Sequence, residues 1–228
     1  MFTAIRTLYG IDASARYGYG DSQIQSAQAR LGIVFPRVLA AYYAALAAHE
    51  KLNQAHNRLI PPDQLSIEDG FLILYEENQG VCYWGVKIDD LNQDSPPVYV
   101  GNSVADGKKL VWLVSHQNLE ALFLDMAFYN GTMGGLHYHA NMLDKKVSAT
   151  VLERLAQTHT PVDFAICHDR QRYFTDAYRD IVVVCDDGDG GASAVFIGTE
   201  DPARFDELLD WFGFENWSYV SDEDEDWE

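Results

Sequence analysis

The chain of 228 residues carries 35 acidic and 16 basic side chains, for a net charge of −19 at pH 7, and 47% of its residues are hydrophobic. This length and composition are typical of a folded globular protein that buries a sizeable core. The net charge argues against direct binding to nucleic acid or to an anionic membrane, because like charges repel over a Debye length of roughly 10 Å at 0.1 M salt.

The acidic residues are concentrated in the second half of the chain. Residues 1–114 have a net charge of −3, whereas residues 115–228 have a net charge of −16. Arg204 is the only basic residue from Asp180 onward. A field of this sign attracts a basic partner and accelerates its encounter with the protein.

Cysteine usage and hydropathy favour a cytoplasmic location. Cys82, Cys167 and Cys185 are odd in number and widely separated, which predicts neither a disulfide framework nor a CxxC metal site. No apolar run reaches the roughly 20 residues that a membrane-spanning helix needs. The first ten residues lack the charged and apolar regions of a signal peptide.

The first part of the chain is predicted to be helical. A helix is expected to begin at Ser22, where Gln25 completes a capping box, and to end at Gly32. A second helix begins at Pro36, a residue favoured in first helical turns. Its apolar residues recur at helical spacing, at Leu39, Tyr42, Tyr43 and Leu46. These residues are expected to form an apolar stripe that faces the core.

Residues 71–100 predict a β-hairpin and a third strand. Two apolar runs, 71–75 and 81–86, surround the Asn-Gln-Gly turn at 78–80, which is typical of a hairpin. Two prolines at 96–97 then interrupt the chain before a short strand at 98–100. Another strand is expected at 110–114.

The rest of the chain predicts helices at 115–130 and 151–157, followed by a strand–turn–strand–helix unit. Strands at 181–185 and 194–197 are joined by an acidic, glycine-rich turn. Asp201 caps the last helix, Pro202 lies in its first turn and Gly213 closes it. Helices that flank short strands joined by tight turns predict an α+β fold with an antiparallel or mixed sheet.

Three patterns suggest chemistry, and each has a simpler interpretation. His137 and His139 would share one face of a strand, but no further metal ligand occurs at a recognised spacing. The turn with Asp186, Asp187 and Asp189 is too short for an EF-hand calcium loop. The adjacent pair at 76–77 is better interpreted as a solvated hairpin end than as paired catalytic carboxylates.

Several short motifs resemble the SUKH superfamily, the family of the yeast cell-wall assembly regulator and of many bacterial toxin-immunity proteins. The resemblance is carried by YEENQGV, WG and PPV in residues 75–98, and by LGIVFPRVLAAYY and MGGLHYH on either side. It covers about residues 22–140. It implies a SUKH-like antiparallel or mixed sheet flanked by helices, and a binding protein without a cofactor rather than an enzyme.

The favoured function is therefore that of an immunity protein that binds and neutralises a cognate toxin in the cytoplasm. The resemblance implies this role, and the acidic field adds that a basic nuclease toxin is a natural partner. One alternative is an intracellular adaptor like the fungal cell-wall assembly regulator. A second alternative is a metal-dependent enzyme that uses His137 and His139.

The predicted partner-binding residues comprise a hairpin set and an acidic C-terminal set. They are Glu76, Glu77, Asn78, Gln79, Trp84, Asp186, Asp187, Asp189, Asp206 and Asp210. The chain is expected to form one domain over residues 1–228, with a family-like core at about 22–140 and a C-terminal hairpin-helix extension at about 180–213. Residues 221–228 are expected to form a mobile acidic tail.

Overall fold

The computed structural model describes residues 1–103, 110–143, 146–163 and 171–221. The described chain separates into two compact units. Unit A contains residues 14–127, and unit B contains residues 1–13, 128–163 and 171–221. That residues 1–228 form one domain remains a prediction. Helices together with antiparallel sheets give the α+β class that the sequence predicts.

The helices and strands are numbered in chain order. The helices are α1 (Phe2–Leu8), α2 (Asp21–Leu31), α3 (Arg37–Ala45), α4 (Glu50–Gln54), α5 (Leu119–Asn130), α6 (Ala149–Thr158) and α7 (Pro202–Phe212). The strands are β1 (Arg58–Leu59), β2 (Ser66–Glu68), β3 (Phe71–Glu76), β4 (Cys82–Lys87), β5 (Val98–Ser103), β6 (Leu110–His116), β7 (Tyr138–Met142), β8 (Thr160–Val162), β9 (Gln171–Thr175), β10 (Asp180–Asp186), β11 (Ala192–Thr199) and β12 (Tyr219–Val220).

Unit A is built on an antiparallel sheet in the order β1-β3-β4-β5-β6, with β2 also paired to β3. The predicted hairpin is confirmed as β3 and β4, and Gly80 in its turn has a positive φ of 71°. A second hairpin, between β2 and β3, is absent from the sequence prediction. Its connection is Asp69-Gly70, with φ values of 50° and 82°. Positive φ at both positions is characteristic of the type I′ turn, which Asp-Gly favours.

Two helix starts in unit A differ from the prediction. The predicted capping box at Ser22 and Gln25 is wrong, because α2 begins one residue earlier and Gln23 Oε1 accepts the backbone N–H of Gly20 at 2.9 Å. The predicted end at Gly32 is confirmed by its left-handed conformation. The helix predicted from residue 115 begins later, because His116 still pairs with Val98 in the sheet.

The core of unit A lies between one face of this sheet and the helices. The predicted stripe on α3 is confirmed, since Leu39, Tyr42, Tyr43 and Leu46 are fully buried. The ring of Tyr42 stacks on Phe123 of α5, with centroids 3.8 Å apart. Burial of such aromatic residues is a major contribution to the stability of a unit of this size.

Unit B is built on an antiparallel sheet in the order β12-β7-β11-β10-β9-β8. The predicted C-terminal strands and helix are confirmed as β10, β11 and α7. The Asp201 carboxylate accepts the backbone N–H groups of Ala203 and Arg204, and Gly213 closes the helix with φ 61°. Apolar residues from these elements form the core with α6. They are Leu152, Leu155, Phe174, Val182, Val184, Val195, Ile197, Phe205 and Leu208.

Ser221 is the only residue of the predicted acidic tail at 221–228 that the structure describes. Strand β12 pairs with β7, and Ser221 is buried, where its hydroxyl accepts the backbone N–H of His139 at 3.0 Å. Residues 222–228, and likewise Cys167, lie outside the described residues.

Candidate functional site

The tip of the β3–β4 hairpin holds four of the predicted partner-binding residues. Glu76 forms an ion pair with Arg58 at 2.6 Å. The Glu77 carboxylate accepts the backbone N–H of Gln79 at 2.9 Å, and the Asn78 side chain lies 3.1 Å from the ring of His56. These bonds hold the turn in a defined conformation, which reduces the entropy that a partner must remove on binding.

A cleft of about 400 Å³ lies beside this hairpin tip. Glu76 and Arg58 line it, together with Glu50 and Tyr19. Burial, and secondarily the Asp63 carboxylate, raises the pKa of Tyr19, so that its hydroxyl stays protonated at neutral pH. The cleft therefore offers carboxylate and hydroxyl groups to a polar partner.

Cys82 lies close to the same turn but lacks the features of a nucleophile. Burial, and secondarily the Glu77 carboxylate, raises the pKa of the Cys82 thiol. The thiol donates a hydrogen bond to Asn102 Oδ1 at 2.9 Å. Because the thiolate is the reactive form, a raised pKa makes this cysteine less reactive than a free thiol.

Trp84 lies on the other face of the sheet from Glu76. It is paired with Tyr75, and their ring centroids are 5.1 Å apart. Paired residues share a face, and alternation along β4 places Trp84 with the buried Val86 rather than with Tyr83 beside Glu76. The hairpin set is thus divided between the two faces, and the partly buried Trp84 belongs to the core side.

The opposite face of the same sheet carries a layer of aromatic side chains that the sequence prediction missed. We define the outer aromatic face as Phe71, Tyr83, Tyr99 and Trp112. Phe71 on β3 stacks on Trp112 of β6, with centroids 4.2 Å apart, although two strands separate them. Each of the four side chains keeps part of its surface exposed.

Two glycines occupy the sheet beneath these rings, and one of them leaves space that a ring fills. Gly85 and Gly101 lie on the strands between Phe71 and Trp112, on the same face. A Cβ atom at Gly101 would lie 2.9 Å from ring atoms of Trp112. The missing side chain at Gly101 therefore creates the space that the Trp112 ring fills.

The acidic turn of unit B holds three further predicted residues in a fixed geometry. Asp186 accepts the backbone N–H of Gly188 at 2.8 Å, and Asp187 accepts those of Asp189 and Gly191 at 2.8 and 3.0 Å. These backbone hydrogen bonds lower the pKa of Asp187. The turn thus favours the ionised form of Asp187, and it leaves Asp189 exposed.

The last two predicted residues, Asp206 and Asp210, are exposed on α7. They lie one helical turn apart and away from the buried Phe205 and Leu208. The acidic set is therefore gathered within unit B, whereas the hairpin set belongs to unit A.

The two histidines of the alternative metal-site hypothesis are placed differently from each other. His139 is buried in β7, where its ring lies 5.3 Å from that of Tyr219. His137 is exposed just before the strand, and its backbone N–H bonds to Glu200. Within the described ranges, no group of three or more His, Cys, Asp or Glu side chains is arranged to hold a metal ion.

A buried charge cluster in unit B is the largest departure from the sequence prediction. We define it as Asp180, Arg204, His159 and Asp176. Asp180 is 0% exposed and its carboxylate lies 2.6 Å from Arg204 Nε and 3.3 Å from His159 Nε2. Arg204 also lies 3.4 Å from Asp176. The only basic residue in the acidic C-terminal stretch is therefore committed to an internal ion pair.

Hydrogen bonding in this cluster keeps Asp180 ionised. Burial by itself raises the pKa of a carboxyl group, but hydrogen bonds from His159, the backbone N–H of Asp176 and Arg204 outweigh it and leave the pKa of Asp180 below its usual value. The isolated Arg204 in an acidic stretch was the only signal in the sequence, because the spacing to Asp180 and His159 follows no motif.

No family model, curated protein or solved structure matches this chain. The resemblance to the SUKH superfamily therefore stays a prediction. Among the helices that the structure describes, none combines the length and the apolar character needed to cross a bilayer.

Proposed function

We propose that the protein is a binding protein that neutralises a cognate toxin, as an immunity protein in the cytoplasm. The observation that carries this proposal is the preorganised acidic turn at 186–191, in which backbone hydrogen bonds fix the carboxylates of Asp186 and Asp187. Fixed carboxylates attract a basic partner without an entropic cost for ordering them.

Arg204 is the one cation from residue 180 onward, and it is already paired within unit B. Its guanidinium lies 2.6 Å from the buried Asp180 and 2.8 Å from Glu207 on α7. The exposed Asp189, Asp206 and Asp210 keep their charge toward solvent. A basic toxin, such as a nuclease with a phosphate-binding surface, has the complementary charge.

The functional test is co-expression of the chain with a toxin gene from its own gene neighbourhood. We expect growth to be restored in the presence of the chain, and purified chain and toxin to form a stable complex. Failure of the chain to restore growth or to bind any neighbouring toxin would refute the proposed function.

The electrostatic part is tested by association kinetics with that toxin. Replacing Asp186, Asp187 and Asp189 by asparagine should lower the association rate roughly threefold to tenfold at low salt and leave dissociation nearly unchanged. The matched control combines Asp63→Asn, Asp89→Asn and Asp90→Asn, which removes the same total charge from unit A. An equal loss in both variants would show that net charge, rather than the turn, guides association.

A further inference from the structure

The outer aromatic face is rich in the residue types that anchor protein interfaces. Unlike core residues, its side chains remain partly exposed. Phe71 contacts Trp112 at 4.2 Å and Tyr99 at 5.2 Å between ring centroids, and each ring is only partly buried. Tryptophan and tyrosine are enriched at positions that dominate binding energy, where they pair with anchors of the partner.

A carboxylate borders this aromatic layer. Glu68 is the residue opposite Phe71 in the β2–β3 pairing, so both side chains point to the same face. Its carboxylate accepts the Ser66 hydroxyl at 3.2 Å, and no ion pair within the described residues uses it. Lys87 is the other residue paired with Phe71, and its ammonium lies 3.7 Å from Asp89.

Aromatic rings beside an uncompensated carboxylate fit one side chain in particular. A planar guanidinium stacks on aromatic faces and pairs with a carboxylate at the same time, whereas an ammonium acts as a compact, strongly hydrated charge. We propose that the outer aromatic face is the anchor site for an arginine side chain of a basic protein partner, which stacks on the Phe71–Tyr99–Trp112 rings and pairs with Glu68.

This inference rests on the proposed function and deepens it, because it names the chemistry of the partner. It places the anchor in unit A, whereas the steering charges lie in unit B. The anchor and the steering charges can therefore be tested independently. Loss of the anchor accelerates dissociation, while loss of steering charges slows association.

The experiment uses a five-residue peptide, acetyl-Gly-Arg-Gly-Arg-Gly-amide, and its lysine and citrulline counterparts. Binding to the full chain is followed by ¹⁹F NMR after labelling with 5-fluorotryptophan, with the Trp112 resonance assigned by Trp112→Phe. We expect the arginine peptide to shift that resonance and to bind more tightly than either counterpart. Equal affinity for the arginine and citrulline peptides, or an unmoved Trp112 resonance, would overturn the anchor site.

Variants locate the site on the sheet. Trp112→Ala and Glu68→Gln should each weaken binding of the arginine peptide about fivefold to tenfold, and Lys87→Met should strengthen it. Leu113→Ala is the matched control, since Leu113 is exposed on the opposite face of β6. Leu113→Ala should bind the peptide as the parent does. If Glu68→Gln also binds as the parent does, the proposed pairing with Glu68 is wrong.

One comparison distinguishes this proposal from the proposed function. With a neutralised toxin in hand, Trp112→Ala is expected to accelerate dissociation, whereas the Asp→Asn turn variant is not. Toxin binding that is intact in Trp112→Ala would refute the anchor and leave the immunity function standing. Peptide binding in a chain that protects against no toxin would leave the anchor standing and refute the function.

Discussion

Replacing Arg204 by alanine should be among the most destabilising single changes in unit B. The guanidinium is the cation closest to the fully buried Asp180, at 2.6 Å. Removing one member of a buried ion pair leaves an uncompensated charge and costs about 3–5 kcal/mol. With a urea m-value of about 2 kcal/mol/M, the unfolding midpoint should fall by about 1.5–2.5 M.

Two further variants separate the buried charge from lost packing. Arg204→Lys should be intermediate, because an ammonium lacks the planar geometry that reaches Asp180 and Asp176 together. The double variant Arg204→Met with Asp180→Asn should be more stable than Arg204→Ala, because it removes both charges. Arg37→Ala is the control, since that arginine is largely exposed and pairs with Asp94 rather than with a member of the cluster.

The assay is urea unfolding followed by tryptophan fluorescence, with hydrogen exchange to report each sheet separately. Protection in β10 and β11 should fall in Arg204→Ala, and comparison with β3 and β4 tests whether the units unfold together. A loss below about 1 kcal/mol in Arg204→Ala, or a double variant no more stable than the single one, would refute the argument.

Three other changes have definite expected outcomes. Because hydrogen bonds lower the pKa of Asp180, its stabilising contribution is complete above the unfolded-state pKa of about 3.9 and is lost as the pH falls through the folded-state pKa. Urea midpoints between pH 2 and 7 should thus depend less on pH in Asp180→Asn, and unchanged pH dependence would contradict this. Gly101→Ala should cost about 1–3 kcal/mol, since its Cβ would lie 2.9 Å from Trp112, and an unchanged thermal midpoint would show that the ring moves aside freely. Ala177→Gly should stabilise the chain by about 0.5–1 kcal/mol, because Ala177 has φ 52°, and a lower midpoint in the same measurement would count against this strain.

The elements that could be predicted from sequence are those whose determinants are local. The hairpin at 71–87 combines strand-forming residues with a turn that contains Gly80, and α7 combines an Asp201 cap with Gly213 as its end. Both signals lie within a few residues of the structure that they specify. The Asp69-Gly70 turn was equally local, and it was missed because β2 has only three residues.

The features that could not be predicted depend on partners distant in sequence. Asp180 meets Arg204 and His159 only after three elements have packed, and no spacing rule connects those positions. The outer aromatic face depends on strand register, which places Gly101 opposite Trp112. The sequence shows Gly101 and Trp112 eleven positions apart. Only the β5–β6 register shows that Gly101 leaves space for the Trp112 ring.

The discontinuity of unit B has a consequence for synthesis of the chain. Helix α1 belongs to a unit whose other described residues begin at 128, so that residues 14–127 are translated before α1 meets its partners. At 5–20 residues per second this interval is on the order of ten seconds. During it, Ile5 and Leu8, both buried in the finished protein, are exposed to solvent and to chaperones. Residues 14–127 are thus expected to fold before α1 joins the rest of unit B.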